Sequence, residues 1–258
     1  MWRVTMRTFF CFRNMITAKQ IYAIFYLFVL FAFTGCVTTI SVGANQDKST
    51  NVDFSLDLGN AVSAVLDSIS AGMGNAESKD QPVFAKDTIQ ALFTSSDFSE
   101  VNVKTPTRTS LQISGKLNSI EKQNAAYSTF DASHFVHCTS NSLTIVLSPN
   151  DLRDLVANLT EEMQSYVDLL MAPLFTEEEM SEAEYLELIE AVYGKELALE
   201  LKNASITIIA TCPRGSKIRE TAGFGVKEIS VKSDKAIFSV PLTQLLTSLS
   251  TRSLSILW

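Results

Sequence analysis

Between Ile21 and Cys36 the chain reads IYAIFYLFVLFAFTGC, sixteen residues without a charge. So apolar a run divides the chain, and whatever folds in water lies after it. Its apolar part, Ile21 to Gly35, is shorter than the roughly 20 residues a helix needs to cross about 30 Å of hydrocarbon. It has the length of a signal-peptide core. Arg3, Arg7, Arg13 and Lys19 precede it, and the first acidic residue is Asp47. This asymmetry is expected of a basic flank that stays in the cytoplasm while the following chain is exported. Residues 1–20 make a long basic region; Met15 would open a more ordinary signal, and Cys11 would then not exist in the protein.

The run closes on Phe33-Thr34-Gly35-Cys36, which resembles the lipobox of bacterial lipoproteins. Thr34, Gly35 and Cys36 match its small-residue and cysteine positions; Phe33 stands where Leu or another aliphatic residue is usual. The resemblance implies a diacylglyceryl thioether on Cys36, cleavage between Gly35 and Cys36, and an acylated Cys36 as the mature N-terminus. Two or three acyl chains, at about 0.8 kcal/mol per buried methylene, anchor durably where a single chain binds only marginally. The alternative is an uncleaved signal anchor with Cys36 an ordinary thiol at the membrane surface. Thr38, Thr39, Ser41, Gly43, Asn45, Gln46, Asp47, Ser49 and Thr50 then form a polar run that reads as a flexible tether. The expected organisation is a signal over 1–35, a tether over 36–52 and a single domain over 53–258.

Composition bounds the partners of that domain. The whole chain carries a formal charge of -7, and removing the four basic residues before Cys36 from its 21 leaves 17 against 28 acidic ones, a net -11. Nucleic acid and anionic headgroups are poor partners for so acidic a surface. Hydrophobic residues at 46% suffice for a core, while ten Gly and six Pro are too few for a fibrous or disordered chain.

The periodicities predict an α+β domain: a mainly antiparallel sheet with helices on one face and a helical block over about 148–203. Val62, Val65, Leu66 and Ile69 mark a helix from about Leu58 to Ser70, although Phe54 to Leu58 alternates like a strand. A second helix opens at Pro82 and buries Phe84, Ile89, Leu92 and Phe93. Strands are expected at 98–103, 110–117, 134–139, 142–147, 204–211, 236–240 and 253–258, with Gly223-Phe224-Gly225 read as a turn. In the strand at 110–117, Leu111 and Ile113 face one way while Gln112, Ser114 and Lys116 face the other. Ser148 and Pro149 open the helical block, and Pro173 is expected to stop its first part. Thr176 with Glu179, and Ser181 with Glu184, have the spacing of capping boxes. Tyr185, Leu188, Ile189 and Val192 then form one buried stripe, ending near Gly194. Pro241 opens a short helix over Leu242, Leu245 and Leu246.

Residues that could carry chemistry are few. His134, His137 and Cys138 are the one cluster of metal-type side chains, but on a strand His137 points away from the other two, so no metal site is expected. Cys138 and Cys212 remain once Cys36 is acylated; in an exported protein they could form a disulfide, or stay as small buried apolar residues. There is no Gly-x-Ser-x-Gly and no cysteine-protease signature, and Gly223-Phe224-Gly225 lacks the third glycine of a phosphate loop. The acidic run from Thr176 to Glu190 reads as helix N-termini and a solvated face. No catalytic residue and no cofactor is expected.

The block LLMAPLFTEEEMSEAEYLELIEAVYGKELALELK, taken with the lipobox, is similar to uncharacterised lipoproteins of spirochaetes, a resemblance that implies no activity. Three classes stay open: a non-catalytic, lipid-anchored envelope protein that binds a partner or scaffolds an assembly; a carrier of lipid or small apolar ligands; and a surface hydrolase. The absence of catalytic motifs favours the first. Met163, Met171 and Met180 in the helical block fit either plain core or the wall of an apolar cavity.

Overall fold

The computed structural model describes residues 37–72, 84, 86–87, 89–90, 98–118, 135–149, 172–176 and 179–258. Gly35, Cys36, His134, Met163, Met171 and the first part of the helical block lie outside them. In chain order the elements are β1 (Val37–Ala44), β2 (Thr50–Asp57), α1 (Asn60–Gly72), β3 (Phe98–Lys104), β4 (Ser110–Leu117), β5 (Val136–Cys138) and β6 (Ser142–Leu147). There follow α2 (Ala172–Thr176), α3 (Glu182–Tyr193), α4 (Lys195–Asn203), β7 (Ser205–Thr211), β8 (Glu220–Phe224), β9 (Lys227–Val231), β10 (Lys235–Pro241), α5 (Leu242–Thr247) and β11 (Arg252–Leu257). The class is α+β. The strands form a seven-stranded sheet, β3-β4-β2-β1-β7-β10-β9, and a four-stranded one, β5-β6-β11-β8.

Every described strand pair is antiparallel except β1 with β7, and that exception corrects the reading of residues 36–52 as a tether. Val37–Ala44 is an inner strand of the larger sheet. It runs parallel to β7, Val37 opposite Ser205 and Gly43 opposite Thr211, and antiparallel to β2, Thr39 opposite Ser55 and Ala44 opposite Thr50. Its polar residues are one half of a period-two pattern: Thr38, Val42 and Ala44 are buried, while Thr39, Ser41 and Gly43 lie on the half-exposed face. Thr and Val suit such a pleated surface, so polarity on one face imitates a loop. The Asn45–Ser49 turn closes the hairpin through the Asn45 N–H donating to Ser49 O at 2.9 Å. There the hydroxyl and the N–H of Ser49 hold the Asp47 carboxyl down to about 2, with Lys116 adding to the effect. Val37–Ala44 is therefore part of the folded domain.

The inner face of the larger sheet supplies the core: Val42, Leu56, Leu111, Ile113, Ile206, Ile208, Ala236, Phe238 and Val240 are all buried. Described helices cover this face. Tyr185 and Ile189 of α3, Leu197 and Leu201 of α4 and Leu242, Leu245 and Leu246 of α5 join the same cluster, together with Leu143, Ile145, Leu254 and Ile256 of the smaller sheet. Burial raises the Tyr185 phenol far above its ordinary range.

Four local expectations are corrected. Gly223 and Phe224, read as a turn, end strand β8, which pairs with β11 from Ser253 opposite Phe224 to Leu257 opposite Glu220; the turn lies at Gly225, whose φ is 67°. That φ disfavours any residue with a side chain, and a Cβ there would also displace the Arg252 guanidinium, which donates to Gly225 O at 2.9 Å and Gln244 O at 3.1 Å. Val192 is 53% exposed; the buried stripe of α3 is flanked by Leu186 and Tyr193 instead. Thr176 ends α2 with its hydroxyl donating to Ala172 O rather than capping a helix. Pro173 stands in the first turn of α2, where its missing N–H costs nothing. The capping box at α3 forms as expected, with Ser181 Oγ accepting from the Glu184 N–H and the Glu184 carboxylate accepting from the Ser181 N–H at 2.9 Å.

Candidate binding face

Helices and the smaller sheet take up the inner face of the seven-stranded sheet; over β1 to β4 its outer face carries the polar half of each strand pattern, and over β7 and β10 it also carries Ile209 and Ile237. The register aligns these side chains in rows across the sheet. One row runs Lys104, Gln112, Ser55, Thr39, Thr207 and Ser239, and the next runs Asn102, Ser114, Asp53, Ser41, Ile209 and Ile237. Over β3, β4, β2 and β1 these rows line an open trough of about 260 Å³, bounded by Thr39, Ser41, Asp53, Ser55, Asn102, Lys104, Gln112 and Ser114, with Phe54 and Ile113 also contributing to its lining.

Its chemistry is that of a hydrogen-bonding platform. Hydroxyls and carboxamides both donate and accept, Asp53 only accepts, and Lys104 only donates. Asp53 and Lys104 are both exposed, and neither takes part in an ion pair among the described residues. One charge of each sign thus faces solvent across a near-neutral trough on an acidic chain. The edge strand β3 is held in place by Gln90, whose side-chain amide donates to Val101 O at 2.7 Å and accepts from the Val103 N–H at 3.1 Å. A side-chain amide so placed occupies the backbone groups that an edge would offer to another chain. It also braces the irregularity between Ser99 and Asn102, where Glu100 adopts a φ of 56°.

The residues singled out from the sequence do not converge. Cys138, on β5, and Cys212, just beyond β7, are both free thiols, so the disulfide weighed above is not formed. They belong to different sheets, and each is held within its own strand framework. Burial pushes the Cys138 thiol up to about 11 and raises that of Cys212, which keeps both protonated and weakly nucleophilic. His137 is exposed on β5, and among the described residues no three His, Cys, Asp or Glu side chains are grouped to hold a metal. In the acidic run, Glu184 caps α3 and Glu182 accepts from the Thr243 hydroxyl at 3.0 Å, tying α5 to α3. Among the described residues no helix is long and apolar enough to cross a membrane.

The trough was only partly visible in the sequence. The outward alternation of Gln112, Ser114 and Lys116 marks one of its strands, but Thr39 and Ser41 sit in the run read as a tether. Only the pairing of β1 with β2 brings them beside Asp53 and Ser55. Compared with known protein families and with curated proteins, the chain finds a match in neither.

Proposed function

We propose that this chain is a lipid-anchored protein of a bacterial cell envelope, held through Cys36, that binds a partner non-catalytically on the outer face of its seven-stranded sheet. The observation that carries the binding role is the trough itself. Four strands from distant parts of the sequence present a continuous set of donors and acceptors, with Asp53 and Lys104 left without an ionic partner among the described residues. Burial of a charge without a partner is costly, so a ligand that covers the trough must supply both a donor for Asp53 and an acceptor for Lys104. The anchor supports the location: the basic flank, the short apolar core and Thr34-Gly35-Cys36 fit an exported, acylated precursor.

A photo-cross-linking amino acid in place of Gln112, in the full chain expressed in its cells, tests the binding role. An adduct that forms at Gln112, is absent when the same group replaces Ala222 on β8, and is lost in an Asp53→Ala, Lys104→Ala variant supports the reading. No adduct, or equal adducts at both positions, contradicts it. An adduct with lipid alone would favour the carrier instead.

A further inference from the structure

We infer that the end of the seven-stranded sheet at which β1 begins rests directly on the lipid surface, with no spacer between membrane and domain. This inference rests on the anchored reading above, but not on which anchor operates. The apolar run ends at Gly35, a lipidated residue would be Cys36, and the next residue, Val37, is already paired with Ser205 of β7. Successive Cα atoms are about 3.8 Å apart, so an acylated Cys36 and an uncleaved apolar segment both leave the sheet within one or two residues of the bilayer. A flexible linker of about ten residues would have given a reach of about 17 Å. The pairing of β1 on both sides removes that freedom.

The register identifies which surface is brought down. Opposite the start of β1 lie the start of β7 and the end of β10, where Ser205 pairs with Pro241, and the end of β2, where Asp57 pairs with Ser110. Backbone bonds stitch these termini into a closed base: Leu58 N–H to Thr109 O at 3.0 Å, Leu242 N–H to Ala204 O at 3.0 Å, and Ala204 N–H to Leu201 O at 3.2 Å. The base does not share the acidity of the chain. Lys104, Lys202 and Arg108 stand there against Asp57, Asp67, Glu200 and Glu182: Arg108 is bonded to Asp67, the Glu200 carboxylate accepts from the α1 backbone at Ala61, and Glu182 accepts from Thr243 at the start of α5. A near-balanced base avoids the repulsion that a surface of net -11 would meet at anionic headgroups. The opposite end, with the Asn45–Ser49 turn and Ser233–Asp234, is carried away by the eight residues of β1, about 25 Å at strand rise. The trough, lined by Thr39 and Ser41, then opens sideways close above the lipid.

The full-length protein, purified from cells in its processed form and reconstituted in phosphatidylethanolamine–phosphatidylglycerol vesicles, tests this. A genetically encoded fluorescent amino acid replaces Asp57 or Asn203 at the base, or Gln46 or Asp234 at the far end. A lipid carrying a headgroup nitroxide is expected to quench the first two strongly and leave the last two near the lipid-free intensity. Inserting about ten Gly and Ser residues between Cys36 and Val37 should bring base quenching toward the far-end level while fatty-acid incorporation is retained. Equal quenching at both ends of protein that still floats with the vesicles overturns the seating and leaves the anchor standing. So does base quenching that the insertion does not change, because the absent spacer would then not be what holds the base down. Protein that neither floats nor carries a fatty acid overturns the anchored reading itself.

Discussion

Glu200 joins parts of the chain that lie 139 residues apart. Its carboxylate accepts from the Ala61 N–H at 2.8 Å and the Val62 N–H at 3.3 Å, at the start of α1. Free N–H groups and the positive end of the helix dipole make that position favourable for a carboxylate. α1 has no acidic residue of its own in its first turn, so α4 supplies the cap. Gly59 makes room for it, since a Cβ there would collide with the Glu200 carboxylate. Glu200→Ala is therefore expected to destabilise the domain by about 1 kcal/mol, the usual worth of a lost N-terminal cap. Gly59→Ala should also destabilise wild type, and lose much of that effect in the Glu200→Ala background, because the collision is then gone. Urea unfolding of the three variants checks both; additive costs would contradict the contact.

At the scale of elements, α3 offers a paired test. Ser181→Ala removes the side-chain half of a formed capping box and should cost about 1 kcal/mol. Val192→Ser, expected from the sequence stripe to open a core cavity, should stay within about 0.5 kcal/mol of wild type because Val192 is exposed. Thermal melts that reverse this order would restore the original stripe. The contrast shows what was legible in the sequence and what was not. The Ser181–Glu184 capping box, the β3–β4 hairpin and the apolar alternation of β7 are local patterns, and the residues that define them sit close together in the chain. Whether Val192 or Tyr193 faces the core depends on how α3 turns at Gly194, with φ 93°, and docks on α5. That is tertiary information. The same holds for β1: alternation of Thr38, Ile40, Val42 and Ala44 with polar residues was present, but only the distant β7 makes the apolar half a buried face. The candidate trough was hidden because β1 read as a tether and because the β1–β2 and β3–β4 hairpins meet only through the non-local β2–β4 pairing.

For the whole molecule, the anchored reading proposed above would join attachment and domain as a single mechanical unit, because β1 is an inner strand from Val37 onward. A tethered domain samples all orientations above its membrane, whereas one whose inner strand starts one residue after a lipidated Cys36 would present a fixed base and a fixed lateral face. The trough, the closed base and the far turns then each have a defined height, which gives a non-catalytic binding role a geometric sense: a partner meets the same face of every copy. All of this depends on Cys36 carrying lipid or adjoining it. The most direct measurement is metabolic labelling with a clickable fatty acid, comparing wild type with Cys36→Ala. Label in a processed wild-type band, and an unlabelled, slower-migrating precursor for Cys36→Ala, is the predicted result; equal labelling of the two, or no label in either, would contradict lipid anchoring at Cys36.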